Sequence, residues 1–525
     1  MVRGSLLVLM MLVVSAGCPG GGGGIGDSCD GNGDCDRTLQ CLNRRCVLRC
    51  NRAPECGDGY ACDGDGLCQP ATGQAGDSCL SEVDCAAGLS CQLDGAALDT
   101  DNRPLSSCTA EISARPAGAT CDGDNACRNG TCALGHCIDL CRQTRDCGTG
   151  NSCAIIPSEL ATNAQFWGCL QSRGTLTWSI PLTSSPTEIL LPVPNVARSA
   201  ALVMTVDDLS QKVGATSVLS PTGTRIYNLP CSPLLQSDPP CDQTRSLDQY
   251  FENQVRHQPD LGQSVLAMPS GSMAQLRSGV YRIEVSSFRS NDTPGSAIPH
   301  VTAVVQLDAG SDLDLHFFFL ELDDHPCAAM TNNAALDAGT AQAATFFQKD
   351  YLGELQSVFQ GASLTLGSPT YEDLRDHPEL DGLDIADLGS LLSLGKYSTG
   401  INVFFVRSLS PIGLQAIGPN PGPAGLAGTR QSGIVIGLDT LCYRDWTAMA
   451  RLTAHEIARY MGLYHNVELE TPQHPSWRDP IDDGADSSDN LMFFSERSEP
   501  GTGIGIGDKI SSGQREILLR SAVLR

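Results

Sequence analysis

The sequence predicts a multidomain chain: disulfide-rich small modules first, an all-β sandwich next, and an α+β domain with a mixed sheet last. Three observations predict it. Twenty of the 25 cysteines crowd into positions 29–169. Short alternating apolar segments begin near Gly174. From about Asp312, strands alternate with long amphipathic helical stretches. A length of 525 residues accommodates two to four domains. The expected divisions are 1–17, 18–28, 29–170, 171–308 and 309–525.

Positions 1–28 read as an export segment and a tether. Arg3 supplies a short positive region, and 5–14 (SLLVLMMLVV) is an apolar run of signal-peptide length, too short to span a bilayer comfortably. Ser15-Ala16-Gly17-Cys18 then resembles a bacterial lipobox. That resemblance implies lipidation at Cys18 and a lipid-anchored place in the bacterial cell envelope, at the outer membrane or cell surface. The glycine run at 20–24 suits a flexible stand-off from a membrane. No other run reaches the ~18 apolar residues of a transmembrane helix.

Charge narrows the partners. Lys and Arg number 34 against 60 acids, a net charge of −26. No basic patch with interleaved aromatics is visible, so nucleic acid is not an expected partner.

The cysteine spacing repeats. Cys29, Cys35, Cys41, Cys46, Cys50, Cys56, Cys62 and Cys68 form one eight-cysteine unit. Cys121, Cys127, Cys132, Cys137, Cys141, Cys147, Cys153 and Cys169 form another with similar gaps. Cys79, Cys85, Cys91 and Cys108 make a half unit between them. Such modules bury too little apolar surface to fold unaided, so disulfides are expected to stabilise them by roughly 2–4 kcal/mol each. They resemble the short EGF- or Dickkopf-type modules of surface proteins. Pairing cannot be deduced from spacing. Gaps of four to six residues lack the C-x-x-C spacing of zinc sites. Asp30-Gly31-Asn32-Gly33-Asp34 and Asp122-Gly123-Asp124 have calcium-loop acids without the glutamate at the twelfth position, so turns are expected there.

The segments 176–180, 188–192, 200–205, 279–285 and 301–306 alternate apolar and polar residues between turn-rich loops, as sandwich strands do. Residues 279–287 (GVYRIEVSS) look like the late strand of small jelly-roll domains. Cys231 and Cys241 flank a Pro-rich loop and are expected to pair.

In the last domain, 313–322 (LDLHFFFLEL) reads as a strand and 341–359 (AQAATFFQKDYLGELQSVF) as a helix. Strands are expected at 363–366, 401–406 and 433–437, the last as the sheet edge. A helix is expected over 445–461, stopped by Gly462. Cys327 and Cys442 are expected to bridge.

That helix carries the chemistry. His455 and Glu456 are followed by Arg459, Gly462 and His465, and Asn490-Leu491-Met492 comes some 27 residues later. This resembles H-E-x-x-H-x-x-G-x-x-H with a methionine turn, the zinc site of metzincin metallopeptidases. The acidic loop Asp479-Pro480-Ile481-Asp482-Asp483 is similar to that of pappalysin-like and myxobacterial lipoprotein relatives. The resemblance covers roughly 312–525. It implies a metzincin-like α+β fold, zinc on His455 and His465, Glu456 acting on the metal-bound water, and Met492 beneath the site.

Arg459 departs from the pattern at the second ligand position. A guanidinium stays protonated and cannot ligate a metal. At ~4 Å and an effective dielectric near 20, its repulsion from a dication is roughly 8 kcal/mol before relaxation. The chain is therefore expected to be a degenerate peptidase, with zinc weak or absent. Arg459 would pair with Glu456, and the protein would bind proteins or peptides at the cell surface. One alternative is an active zinc endopeptidase with a substitute ligand from His474, Asp479, Asp482 or Asp483. Another is a non-enzymatic adhesive or structural surface protein.

Overall fold

The computed structural model describes residues 24–493 and 506–525, apart from 26, 43, 52, 57–59, 63–65, 100–102, 159–163, 230–254, 258, 272–274, 309, 321, 323, 420, 424–425, 466–480 and 482–486. The export segment, Cys18, Cys231 and Cys241 lie outside the described residues. Among those described, the chain runs through disulfide-rich small modules, then a β-sheet region, then a mixed α/β region with helices.

The twenty clustered cysteines form five four-cysteine modules with one pairing rule. First joins third and second joins fourth: Cys29–Cys41 and Cys35–Cys46, Cys50–Cys62 and Cys56–Cys68, Cys79–Cys91 and Cys85–Cys108, Cys121–Cys132 and Cys127–Cys137, Cys141–Cys153 and Cys147–Cys169. In each module the third and fourth cysteines stand opposite one another in a hairpin, as Cys91 faces Cys108. The acids read as turn residues cap backbone amides. Asp34 accepts from Asp30 N and Gly31 N at 2.8 and 3.0 Å. Asp84 does the same for Leu80 N and Ser81 N at 2.9 and 3.0 Å, and Asp146 for Arg142 N and Gln143 N at 2.9 and 3.2 Å. Asp124 takes the amide of Cys132 at 2.8 Å. Each small hairpin thus gets its apolar filling from sulfur and its turn from a carboxylate, which compensates for the lack of a core.

Two sheets follow. One orders Gly174–Ile180, His300–Asp308, Ser199–Thr205, Gln263–Met268 and Arg256–His257. The other orders Thr187–Val193, Gly279–Arg289, Gln211–Leu219 and Arg225–Asn228, with Asp260–Leu261 beside Gln211–Leu219. Their inner faces share one core, including Leu191, Leu202, Val213, Leu266, Ile283 and Val305. Ile138, Ile156 and Phe166 of the preceding modules join the same core.

All five strands expected here form. Gln211–Leu219 (QKVGATSVL) was not anticipated, because glycine and small polar residues blur its alternation. Gly214 is required there: a Cβ would stand 2.7 Å from His257 Nε2. His257 is a satisfied core histidine. It holds Val265 O through Nδ1 and accepts from Ala215 N at Nε2, both at 2.9 Å.

The last region is built on a five-stranded sheet ordered Thr370–Leu374, Leu315–Leu320, Ile401–Val406, Ile434–Gly437 and Ala416–Ile417. The first four run parallel and the last antiparallel. Both faces of the inner strands are covered, so Leu315–Leu320, Ile401–Val406 and Ile434–Gly437 are fully buried and almost wholly apolar, His316 and Asn402 apart. One face meets Phe347, Tyr351, Met449 and Ile457 of the helical layer, and the other packs on Leu391 and Leu392. The helical stretch expected at 341–359 is interrupted: Ala338–Ala343 ends at an extended Ala344, and a wide turn at Phe346–Tyr351 leads into Leu352–Gly361. Cys327 is bonded to Cys442.

One expectation is corrected. The segment 433–437 is not the sheet edge, because Ile434–Gly437 is flanked on both sides. The edge is Ala416–Ile417, which pairs antiparallel with it. Two residues in a Gly/Pro-rich loop carry no periodicity, so this strand is invisible in the sequence.

Candidate metal centre

The helix Trp446–Tyr460 starts where Asp445 caps it, its carboxylate accepting from Ala448 N at 2.8 Å. Its apolar face, with Met449, Ala450, Ala454, Ile457 and Ala458, is buried against the sheet. It stops at Gly462, whose φ of +112° disfavours any side chain. The chain then reverses and carries His465 back toward the helix.

His455 and His465 meet. Their Nε2 atoms are 3.0 Å apart, and the rings stack at 4.9 Å between centroids with 24° between planes. His455 is buried, and its Nδ1 bonds to Leu491 O at 2.7 Å. That bond holds the proton on Nδ1, donated to the carbonyl, and leaves the Nε2 lone pair free of a proton.

Leu491 O is aimed by the turn Asn490–Phe493, closed by Phe493 N on Asn490 O at 3.1 Å. Asn490 Oδ1 also accepts from Met492 N at 2.8 Å. The turn is anchored to the helix Ser512–Leu518 through Gln514. Met492 is fully buried in the core.

Glu456 lies on the adjacent sector of the helix. It keeps some surface exposure, yet loss of hydration pushes its carboxyl up to about 7, and the Arg459 cation pulls only part of the way back. The edge strand comes close to it: a Cβ built on Gly418 would stand 3.6 Å from Glu456 Oε2. Beside that edge, a cavity of about 560 Å³ opens between the β-sheet region and the last region. Leu261, Leu388, Leu392, Ile417 and Pro419 give it apolar walls, with Asp260 and Arg430 at its rim of charge.

Tetrahedral zinc with Zn–N near 2.0–2.1 Å sets its nitrogen ligands ~3.3 Å apart. The 3.0 Å between the two Nε2 atoms is close to that edge, and the second-shell carbonyl on His455 Nδ1 is what a ligating histidine needs. Arg459 does not fit, for the reason of charge and chemistry already given. The donor set among the described residues is thus two histidines. His474, Asp479, Asp482 and Asp483 lie outside the described residues. Leu491 O, Gly418 and the edge strand were not singled out in the sequence. The first was signalled by the Asn490-Leu491-Met492 turn; the other two had no local signal.

No family model matches this chain. A stretch of 106 residues, 20% of the chain, is 29% identical to 98% of a protein described as Turripeptide OL55-like from Lophiotoma acuta. The likeness is to the cysteine-rich, disulfide-bonded modules. Eleven disulfides among the described residues point to an extracellular or secreted setting.

Proposed function

We propose that this chain is an exported surface protein, lipid-anchored through Cys18, whose last region is a metzincin-like metallopeptidase scaffold with an impaired zinc site that binds extended peptides. One observation carries the reading. His455 and His465 converge at 3.0 Å with Nδ1 of His455 on Leu491 O, while the helical position between them, one turn after His455, holds Arg459. The site keeps the geometry of a metal centre and lacks one donor. Loss of a ligand worth even ~4 kcal/mol is about three decades of affinity.

Binding would use the neighbouring edge. An extended peptide can add to Ala416–Ile417 through main-chain hydrogen bonds, with an apolar side chain in the adjoining cavity. Glu456 and Arg459 would then offer polar contacts rather than catalysis.

A second reading is favoured by the same histidine pair. Two imidazoles at nearly the spacing of zinc ligands suit an active zinc endopeptidase whose third ligand comes from His474, Asp479, Asp482 or Asp483. There the metal would supply a Lewis acid and an activated water.

One experiment separates them. The full mature chain, refolded under oxidising conditions, is assayed for bound zinc and for cleavage of casein and gelatin, beside Arg459→His. The expected result is sub-stoichiometric zinc and no cleavage in the native chain, with zinc affinity raised about a thousandfold in Arg459→His. Stoichiometric zinc with chelator-sensitive cleavage by the native chain would overturn the impaired-site reading.

A further inference from the structure

A cation from a different region of the chain reaches the turn before His465. Arg256 lies on the short strand Arg256–His257 of the first sandwich sheet and is only 2% exposed. Its Nη1 donates to Gly462 O at 2.9 Å, and its guanidinium carbon stands 3.5 Å from the centre of the Tyr464 ring. Tyr464 is itself 1% exposed. One side chain thus grips both ends of the three residues that turn the chain from Gly462 to His465.

Burying an arginine to fill space is poor economy of structure, because an apolar residue of similar volume stabilises a core at least as well. What the guanidinium adds is direction. Gly462, at φ +112°, lies past the end of the helix, and its buried carbonyl needs a partner, which Arg256 supplies. The face of Tyr464 is held by cation–π attraction, which is strongest when desolvated. With both fixed, little freedom remains in where the next residue points.

The surrounding seam is polar and specific as well. Gln263 receives Arg430 N at 3.1 Å and gives Nε2 to Thr429 Oγ1 at 3.2 Å. Ser199 Oγ donates to Arg520 O at 2.6 Å, and Gln306 Nε2 to Ser521 O at 3.1 Å. The sandwich therefore meets the last region in a defined register, and Arg256 is bonded to the turn that leads to His465.

We propose that Arg256 is a positioning residue for His465: the sandwich, through this guanidinium, holds the 462–464 turn that brings His465 Nε2 to His455 Nε2. The β-sandwich is then part of the site rather than a spacer. This rests on reading His455 and His465 as the site. The test needs neither metal nor peptide, so its outcome is separate from that of the peptide-binding reading.

The full mature chain is labelled with ¹⁵N-histidine, freed of metal with a chelator, and compared with Arg256→Met and Arg256→Lys. In the native chain His455 holds its proton on Nδ1, toward Leu491 O, so His465 must offer its own proton from Nε2. In Arg256→Met, His465 becomes a mixture of tautomers while His455 keeps its Nδ1 proton. Amides in 462–465 exchange about tenfold faster, the equivalent of one lost hydrogen bond, with the sandwich core strands unchanged. Arg256→Lys, which keeps a cation on the ring and one donor, falls between the two. A His465 tautomer unaltered in Arg256→Met, or exchange accelerated equally everywhere, overturns the proposal. If Arg256→Met does not fold, Tyr464→Leu is read in the same way, and an unaltered His465 there overturns it equally.

Discussion

Asn490 and Gln514 exchange two amide hydrogen bonds, Asn490 Nδ2 to Gln514 Oε1 at 3.1 Å and Gln514 Nε2 to Asn490 Oδ1 at 3.0 Å. Both residues are buried, so neither amide has water as a substitute. Through this pair the C-terminal helix decides where the 490–493 turn sits, and the turn in turn decides where Leu491 O meets His455.

Breaking one half of the pair should therefore cost more than breaking both halves would suggest. Asn490→Ala or Gln514→Ala alone strands a buried amide and should lower stability by about 1–3 kcal/mol. The double variant should lose less than the sum of the singles, because neither side-chain amide is left facing an absent partner, while the bonds from Met492 N and Ser511 N are lost in the singles and the double alike. Denaturant midpoints of the four proteins give the coupling. Strict additivity would show that the two amides do not act as a unit.

Two groups, the partly buried Glu82 and the buried His257, should give stability opposite slopes with pH. Glu82 is pushed up to about 8 by burial and by Asp139, against the weaker pull of Arg128 and of the Cys91 amide. Arg128 stands 3.7–3.9 Å from Glu82, Glu111 and Asp139, so one cation is divided among three carboxyl groups. Glu82 is therefore neutral when folded and ionises when unfolded. Its contribution is fully present below about pH 4.5 and is lost as pH rises to about 8. His257 is pushed down to about 4 by burial. Its contribution is present above about pH 6.5 and is lost as pH falls toward 4. Each slope should amount to on the order of 2–4 kcal/mol. Unfolding midpoints under non-reducing conditions at pH 4, 5, 6.5 and 8 check this. Glu82→Gln should remove most of the alkaline slope and leave the acid one. An unchanged alkaline slope in that variant would assign the effect elsewhere.

Removing the Cys327–Cys442 bond should destabilise the last region. The bond closes a span of 115 residues and ties the loop after the strand Leu315–Leu320 to the start of the helix Trp446–Tyr460. Trp446 Nε1 also bonds Met330 O at 2.8 Å beside it. The double variant Cys327→Ala/Cys442→Ala should lose roughly 2–5 kcal/mol. Thermal unfolding measures it, and an unshifted transition would mean that packing alone holds this corner.

Much of this was legible because particular residues carry long signals. His455, Glu456, Gly462 and His465 sit on one helix and its reversal, and the metzincin resemblance implies the meeting of His455 with His465. The run at 401–406 is apolar on both faces and reads as a buried strand. Cys327 and Cys442 were legible as the pair left over in their region. Other features depend on contacts that no local pattern encodes. Ala416–Ile417 is two residues long and exists because Ile434–Gly437 offers it hydrogen bonds. Gln211–Leu219 is a strand because its neighbour Gly279–Arg289 holds it in register, despite Gly214 and small polar residues. The cysteine pairing needed the hairpins that set third beside fourth. Arg256 is 206 residues from Gly462 and belongs to no motif, so only the packed seam reveals it.

The interleaved disulfides also set how the N-terminal array responds to cutting and to tension. Between positions 29 and 169, only 47–49, 69–78, 109–120 and 138–140 lie outside a covalently closed loop. A protease that nicks a loop inside any module leaves both fragments joined by sulfur. A pull along the array can extend those four connectors and, in each module, only the short stretch between one bridge and the next, such as 41–46, before it meets covalent bonds. The array can be cut within any module without parting, and under tension each module keeps its bridged loops closed.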